Sequence, residues 1–141
     1  MKKIILTILI LILPVLCYGI DNRKTIERRD IFSVSGTTTI TASGNVSSDP
    51  IDLGKMKPEG YFTLILTTAG ASSDVKAEYL LCDTETGTYY EPSEASDIVA
   101  SHSPGTAHYS FSPALGMFMK IKITETAGND VTAFTAIIII Q

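Results

Sequence analysis

The octapeptide MFMKIKIT at residues 117–124 decides the fold class of this chain. Apolar and polar side chains alternate along it, and successive side chains of a β-strand point to opposite faces of a sheet. The expected inward row is Met117, Met119, Ile121 and Ile123, and the expected outward row is Phe118, Lys120, Lys122 and Thr124. The pattern predicts an antiparallel strand with one face in a core and the other in water.

Segments of the same character occur on both sides of this strand. Thr, Val, Ile, Tyr and Phe dominate from Ile31 onward, and Gly, Pro, Asn and Asp recur between the runs. The predicted strands are residues 31–34, 37–41, 51–53, 61–68, 75–82, 88–91, 108–112, 117–124 and 131–140. A hairpin turn is expected at residues 83–87 and a long polar loop at 92–107. We therefore predict an all-β, two-sheet antiparallel sandwich, of jelly-roll or immunoglobulin-like type, with its strand order left open.

The N-terminus has the pattern of a secretory signal segment. Lys2 and Lys3 precede an aliphatic run, and Cys17 and Gly19 stand at the two small-residue positions before a cleavage point at Ile20. We predict a signal peptide over residues 1–19, a charged linker over 20–30 and a β-sandwich domain over 31–141. The chain is then exported, and its membrane contact ends when the segment is cleaved.

Two alternatives to cleavage stay open. An uncleaved anchor would need about 20 apolar residues to span a bilayer, and the run at residues 4–16 is shorter. Lipidation of Cys17 is the second alternative, although bulky Leu16 stands where lipoprotein signals usually carry a small residue.

Composition narrows the classes of partner. The 141 residues suit one domain, and the formal net charge of −4 becomes more acidic once Lys2 and Lys3 are removed. An acidic surface repels phosphate backbones, so no nucleic-acid partner is expected.

Only Cys82 remains after cleavage, which rules out an internal disulfide in the mature chain, and its apolar surroundings favour a buried, inert thiol. No cofactor motif occurs in the sequence, and we expect no cofactor.

Residues suited to catalysis are few. A serine hydrolase needs a nucleophile, a base and a group that orients the base. The only histidines are His102, in the predicted loop, and His108, at the start of a strand, and no G-x-S-x-G pattern occurs. Five acidic residues cluster before the histidines in the sequence. We interpret them as solvated charges rather than as the carboxylate pair of a glycosidase: Glu78, Glu85, Glu91, Glu94 and Asp97. We therefore predict that the protein is not an enzyme.

Two binding motifs have weak signals. DTETG at residues 83–87 matches the first half of a calcium loop, but a ligand position and the distal glutamate are missing, so we expect no metal. Exposed aromatic rings bind sugars, and Tyr89, Tyr90 and Tyr109 are the candidates to face a ligand. A secreted carbohydrate-binding module is thus the alternative function, with a surface glycan as its ligand.

The second half of the chain resembles a known group of proteins. The segments that carry the resemblance are EYLLCDTETGTYYEPSEASDIV at residues 78–99, YSFSPALGMFMKIKITETAGNDVTA at 109–133 and the apolar strand that ends at Gln141. They are similar to small β-sandwich proteins encoded among the structural genes of tailed bacteriophages. The resemblance implies a non-enzymatic virion or surface module and gives no site residues. Those proteins start close to their first strand, so residues 1–19 favour an exported bacterial protein built on a similar domain.

The C-terminal strand predicts self-association. Along residues 131–140 both faces carry isoleucines, and a sandwich buries only one face of a strand. We expect the exposed pair to pack against a second subunit, with Ile138 and Ile140 as the candidate contact of a homo-oligomer. A covering loop is the alternative. The sequence as a whole therefore predicts an exported, non-catalytic structural or adhesion module with a protein or glycan partner.

Overall fold

The computed structural model describes residues 27–54, 61–93, 97–113 and 116–140, which form β-strands and connecting turns without a helix. Within these ranges no helix is long and apolar enough to cross a membrane. The strands in chain order are β1 (Glu27–Asp30), β2 (Asn45–Ser47), β3 (Ile51–Asp52), β4 (Phe62–Ala69), β5 (Val75–Cys82), β6 (Asp97–His102), β7 (Gly105–Phe111), β8 (Phe118–Glu125) and β9 (Ala133–Ile140).

The strands form two antiparallel sheets. The first sheet has the order β1-β9-β4-β7, and the second has the order β2-β8-β5-β6, with β3 also paired to β8. In the first sheet β4 lies between β9 and β7, in register from Phe62↔Ile140 to Ala69↔Ala133 on one side. In the second sheet β5 lies between β8 and β6. The predicted two-sheet sandwich is confirmed.

The strand order is that of one long antiparallel ribbon rolled over on itself. Because β2 and β3 both pair with β8, they act as one interrupted strand. Along the ribbon β1 pairs with β9, β2 and β3 with β8, β4 with β7, and β5 with β6. Rolling the ribbon adds the pairs β4–β9 and β5–β8. This is the double Greek-key order of a jelly roll, and it resolves the choice between the two predicted sandwich types.

The core lies between the inner faces of the two sheets. Leu64 and Leu66 of β4 face Ile121 and Ile123 of β8, and all four side chains have 0% exposure, as does Ile138 of β9. Full burial of such a side chain contributes about 1.5–3 kcal/mol relative to leaving it in water. The alternation predicted for β8 is confirmed, except that Met117 precedes the strand and is 51% exposed.

Strand β1 lies where the sequence predicts a linker. Glu27–Asp30 pairs with β9 from Glu27↔Ile140 to Asp30↔Ile137, so the domain begins at least four residues before the predicted boundary at Ile31. Because these four consecutive residues are charged, the sequence predicted a solvated linker here. They are compatible with an edge strand because its backbone bonds to β9 and its side chains stay largely in water.

Further segments differ from prediction. The strands expected at residues 37–41 and 88–91 are reduced to the isolated bridges Ile40↔Val131 and Leu81↔Tyr90, and β2 lies where no strand was predicted. Residues 31–35 form turns rather than a strand, because Gly36 adopts a φ of 64° and donates its N–H to the carbonyl of Phe32 at 2.9 Å. The predicted loop at 92–107 contains β6 and the start of β7. Strand β6 was not predicted because small polar residues interrupt any apolar alternation in its sequence. Its pairing with β5 also has register shifts between Val75 and Glu78.

The orientation of strand β9 shows that the subunit contact predicted through Ile138 and Ile140 is wrong. Ile138 and Ile140 face the core, with 0% and 9% exposure, so they are not the outward pair. Ile137 and Ile139 form the outer row and are only partly buried. Moreover, β9 is not an edge strand, because β1 and β4 flank it. An intersubunit contact through the backbone of β9 is therefore excluded by the fold.

We predict that Ile138→Thr lowers the free energy of unfolding by about 2–4 kcal/mol, since it removes buried apolar volume and buries a hydroxyl. Ile139→Thr, the matched change on the outer row, costs about 1 kcal/mol or less. Urea unfolding of both variants measures the difference. Equal losses would contradict the assigned faces of β9.

Candidate functional site

A group of hydrogen-bonded polar side chains lies at the corner where β6 turns into β7. We call this group the polar corner: Asp74, Ser101, His102 and Tyr109. Pairing of Val75 with His102 fixes the imidazole at the end of β6. The chain then turns through Ser103 and Pro104 into Gly105, whose φ of 138° suits glycine. The turn returns the chain along β4, which brings Tyr109 over His102.

The imidazole of His102 is buried and hydrogen-bonded to the phenol hydroxyl of Tyr109. Its Nδ1 is 2.8 Å from the hydroxyl of Tyr109, and the two rings meet edge to face with centroids 5.8 Å apart. Its Nε2 is buried without a hydrogen-bond partner. Burial lowers the pKa of His102, and the backbone of Gly105 and the charge of Asp74 oppose this only partly. The ring is therefore neutral at neutral pH.

Ser101 and Asp74 form a separate pair beside the histidine. The Ser101 hydroxyl donates to Asp74 Oδ2 at 2.8 Å. Adjacent residues on a strand point to opposite faces, so Ser101 is directed away from the imidazole of His102. A nucleophile–base pair needs a direct hydrogen bond between the hydroxyl and the ring, and here the ring bonds to Tyr109 instead. His108, the other histidine, lies exposed on β7.

The predicted acidic group is divided among different roles. Glu78 is only 3% exposed and receives Lys122 Nζ at 2.6 Å and Lys76 Nζ at 2.7 Å. Lys76 also contacts Asp97 at 2.9 Å. Desolvation acts to raise the pKa of Glu78, but the two lysines outweigh it and the pKa is lowered. This carboxylate stays ionised and neutralised by its neighbours, which suits an ion-pair network more than proton transfer.

The rest of that group is dispersed. Glu85 is exposed in the hairpin turn and Glu91 is exposed just beyond it, while Glu94 lies outside the described residues. No cluster of three or more His, Cys, Asp or Glu among the described residues is arranged to hold a metal ion. The DTETG segment forms a turn at this hairpin, with Gly87 N–H donating to the Thr84 carbonyl at 3.2 Å.

Glu125 is the buried acid that sequence reasoning missed. Its carboxylate accepts backbone N–H groups from Ser43, Ala127 and Gly128 at 2.8–2.9 Å. Desolvation favours a higher pKa, but these donors, together with the Asn129 backbone, hold the pKa at about 2. Glu125 thus joins the β8–β9 turn to the loop before β2. The sequence signal that could have identified it is its position at the end of a predicted strand, three residues before Gly128 of the following turn.

The three candidate sugar-binding tyrosines do not form a platform. Tyr109 points inward to His102 and is half-buried. Tyr89 donates its hydroxyl to the Glu85 carbonyl at 2.9 Å, and Lys120 Nζ lies 4.6 Å from its ring centroid. Of the three, only Tyr90 is largely exposed, at 69%. It bridges Leu81 through two backbone hydrogen bonds of 2.9 and 3.0 Å.

Comparison with known proteins gave no assignment. No protein-family model matches the chain, and no curated protein matches it. The resemblance to phage structural proteins therefore stays a prediction.

The carboxylate of Glu125 predicts a pH dependence of stability. Its folded pKa of about 2 lies below the ordinary 4.5, so the unfolded chain binds this proton more readily. The stability that Glu125 contributes is present above pH 4.5 and is lost as the pH falls towards 2. We expect Glu125→Gln to be less stable than the parent at pH 7, with the gap narrowing in acid. Urea unfolding across this range measures it, with Glu85→Gln in the exposed turn as control. A constant gap would contradict the prediction.

The hydrogen bond between Tyr109 and His102 predicts a second effect. Tyr109→Phe leaves a buried ring nitrogen without its partner, which costs about 1–3 kcal/mol of unfolding free energy. Tyr89→Phe removes a hydroxyl at an exposed turn, and we expect about 0.5 kcal/mol or less. Thermal and urea unfolding of the two variants compare them. Losses of equal size would contradict the predicted stabilisation by the hydrogen bond between Tyr109 and His102.

Proposed function

We propose that this chain is an exported, non-catalytic structural or adhesion module that associates with copies of itself. The observation that carries the proposal is how its polar side chains are bonded. His102 bonds to a phenol, Glu78 to two lysines and Glu125 to backbone N–H groups. Each of these interactions ties one part of the sandwich to another. Groups used in this way stabilise a scaffold, whereas catalytic groups converge on a substrate.

The proposal includes export by the N-terminal signal. The secretory pattern of Lys2, the apolar run and Gly19 supports cleavage before Ile20. Jelly rolls occur in capsid and lectin domains, so the fold is compatible with assembly or adhesion but selects neither. The similarity to phage structural proteins adds support for an assembly role.

The test combines processing and activity. We expect the exported protein to have the intact mass of a chain that starts at Ile20. We also expect His102→Ala and His108→Ala together to leave any hydrolytic activity of the preparation unchanged. A mass that retains residues 1–19, or a lipid on Cys17, would refute export by cleavage. An activity lost in a double variant that still unfolds cooperatively would refute the non-catalytic role.

A carbohydrate-binding module is the second candidate, and the exposed ring of Tyr90 favours it. Stacking of one sugar on one ring gives weak binding, so a polysaccharide is a better probe than a monosaccharide. Affinity electrophoresis of the parent against Tyr90→Ala tests it, with Tyr61→Ala as control, since Tyr61 is 70% exposed. A retardation that only Tyr90→Ala abolishes would favour this function. No retardation in any polysaccharide would remove it.

A further inference from the structure

The edges of the two sheets differ in how they resist pairing with another chain. An edge strand carries unpaired backbone N–H and C=O groups, and proteins protect it with charge, proline, bulges or short length. Strand β1 has four charged residues, and β2 and β3 are short and separated by a segment with Pro50. Strand β6 has an irregular register with β5. Three of these four edges therefore carry a protecting feature.

The fourth edge, β7, has none of these features. Its pairing with β4 is regular over seven residues, from Phe62↔Phe111 to Thr68↔Gly105. Its sequence, GTAHYSF, contains no Lys, Arg, Asp, Glu or Pro. A regular, uncharged edge of this length is the kind that accepts a further strand.

The side of the sandwich at this edge is also only partly covered. Tyr109 and Phe111 of β7, and Ile98 and Val99 of the neighbouring β6, pack against the core but are only partly buried. Leu64, the β4 partner of Tyr109, has 0% exposure. Phe111 also stacks on Tyr79 with centroids 6.0 Å apart, so its ring extends the core to this open side. A strand added beside β7 would cover apolar surface that the single chain leaves in water.

We propose that β7 pairs antiparallel with β7 of a second copy, which joins two four-stranded sheets into one continuous sheet. The inference rests on the self-associating part of the proposed function and names its surface. The pairing is isologous, with the two-fold axis at His108 in the middle of the strand. It replaces the predicted contact through Ile138 and Ile140.

The sequence of β7 is complementary to itself in this register. With His108 on the axis, Thr106 lies opposite Ser110 of the second copy, and Ala107 lies opposite Tyr109 of the second copy. Thr106 and Ser110 already bond to β4 hydroxyls, at 2.9 Å to Thr67 and 3.4 Å to Thr63, so the same hydroxyl rows would continue across the axis. No charged side chain meets one of like sign, whereas the same pairing of β1 would align charged residues.

The test is the native mass of the mature exported protein, by light scattering over a dilution series. We expect twice the mass of one chain at high concentration. His108→Lys sets two ammonium groups opposite each other on the axis, and we expect it to weaken the dimer at least about tenfold. Thr135→Lys is the matched control, because Thr135 is exposed on the same outer face but lies on the central strand β9.

The outcomes separate the alternatives. A dimer that His108→Lys dissociates and Thr135→Lys leaves intact supports pairing through β7. A single-chain mass at every concentration overturns the proposal, as does a dimer that His108→Lys leaves unchanged. Dissociation by Thr135→Lys would place the contact on the sheet face around Ile137 and overturn it too. Circular dichroism of each variant verifies the fold. The processing and activity tests of the proposed function are independent of all these results.

Discussion

Burial of the central strands β4, β5, β8 and β9 against one another is the constraint on which the rest of the structure depends. Each of them lies inside a sheet, and their inner rows supply the side chains without exposure, such as Leu66, Ile121 and Ile138. The strands that pair are far apart in sequence, as in Leu64↔Ile138. The apolar contacts must therefore offset the entropy of closing long loops, and the sheets form together with the core.

The sequence predicted the strands that this core requires and missed those that lie at its margin. Alternation between apolar and polar residues identified β5 and β8 because one face of each is buried. It failed at Glu27–Asp30 and at Asp97–His102, since edge strands form through backbone pairing and need no apolar row. It also failed to choose the buried face of β9, because isoleucines occupy both faces. The register with β4 decides, since it pairs Ile138 with buried Leu64.

The candidate site was less predictable than the fold for a related reason. His102 and Tyr109 were each visible in the sequence, but their contact at 2.8 Å depends on the corner between β6 and β7. Glu125 had no distinctive motif, yet three backbone N–H groups from two loops converge on it. The buried polar groups hold the ends and corners of the sandwich together. This arrangement leaves the edge strands as the part of the molecule available for association.

Residue-resolved amide hydrogen exchange at low and high protein concentration tests the central claim, that a rolled-ribbon core leaves β7 as the associating edge. The account predicts slow exchange in β4 and β9 at both concentrations, because both strands are paired on each side. Amides of Gly105–Phe111 that do not bond to β4 should become protected only at high concentration, while Glu27–Asp30 stays unchanged. Protection of β7 that is independent of concentration, or new protection at β1 instead, would contradict the account.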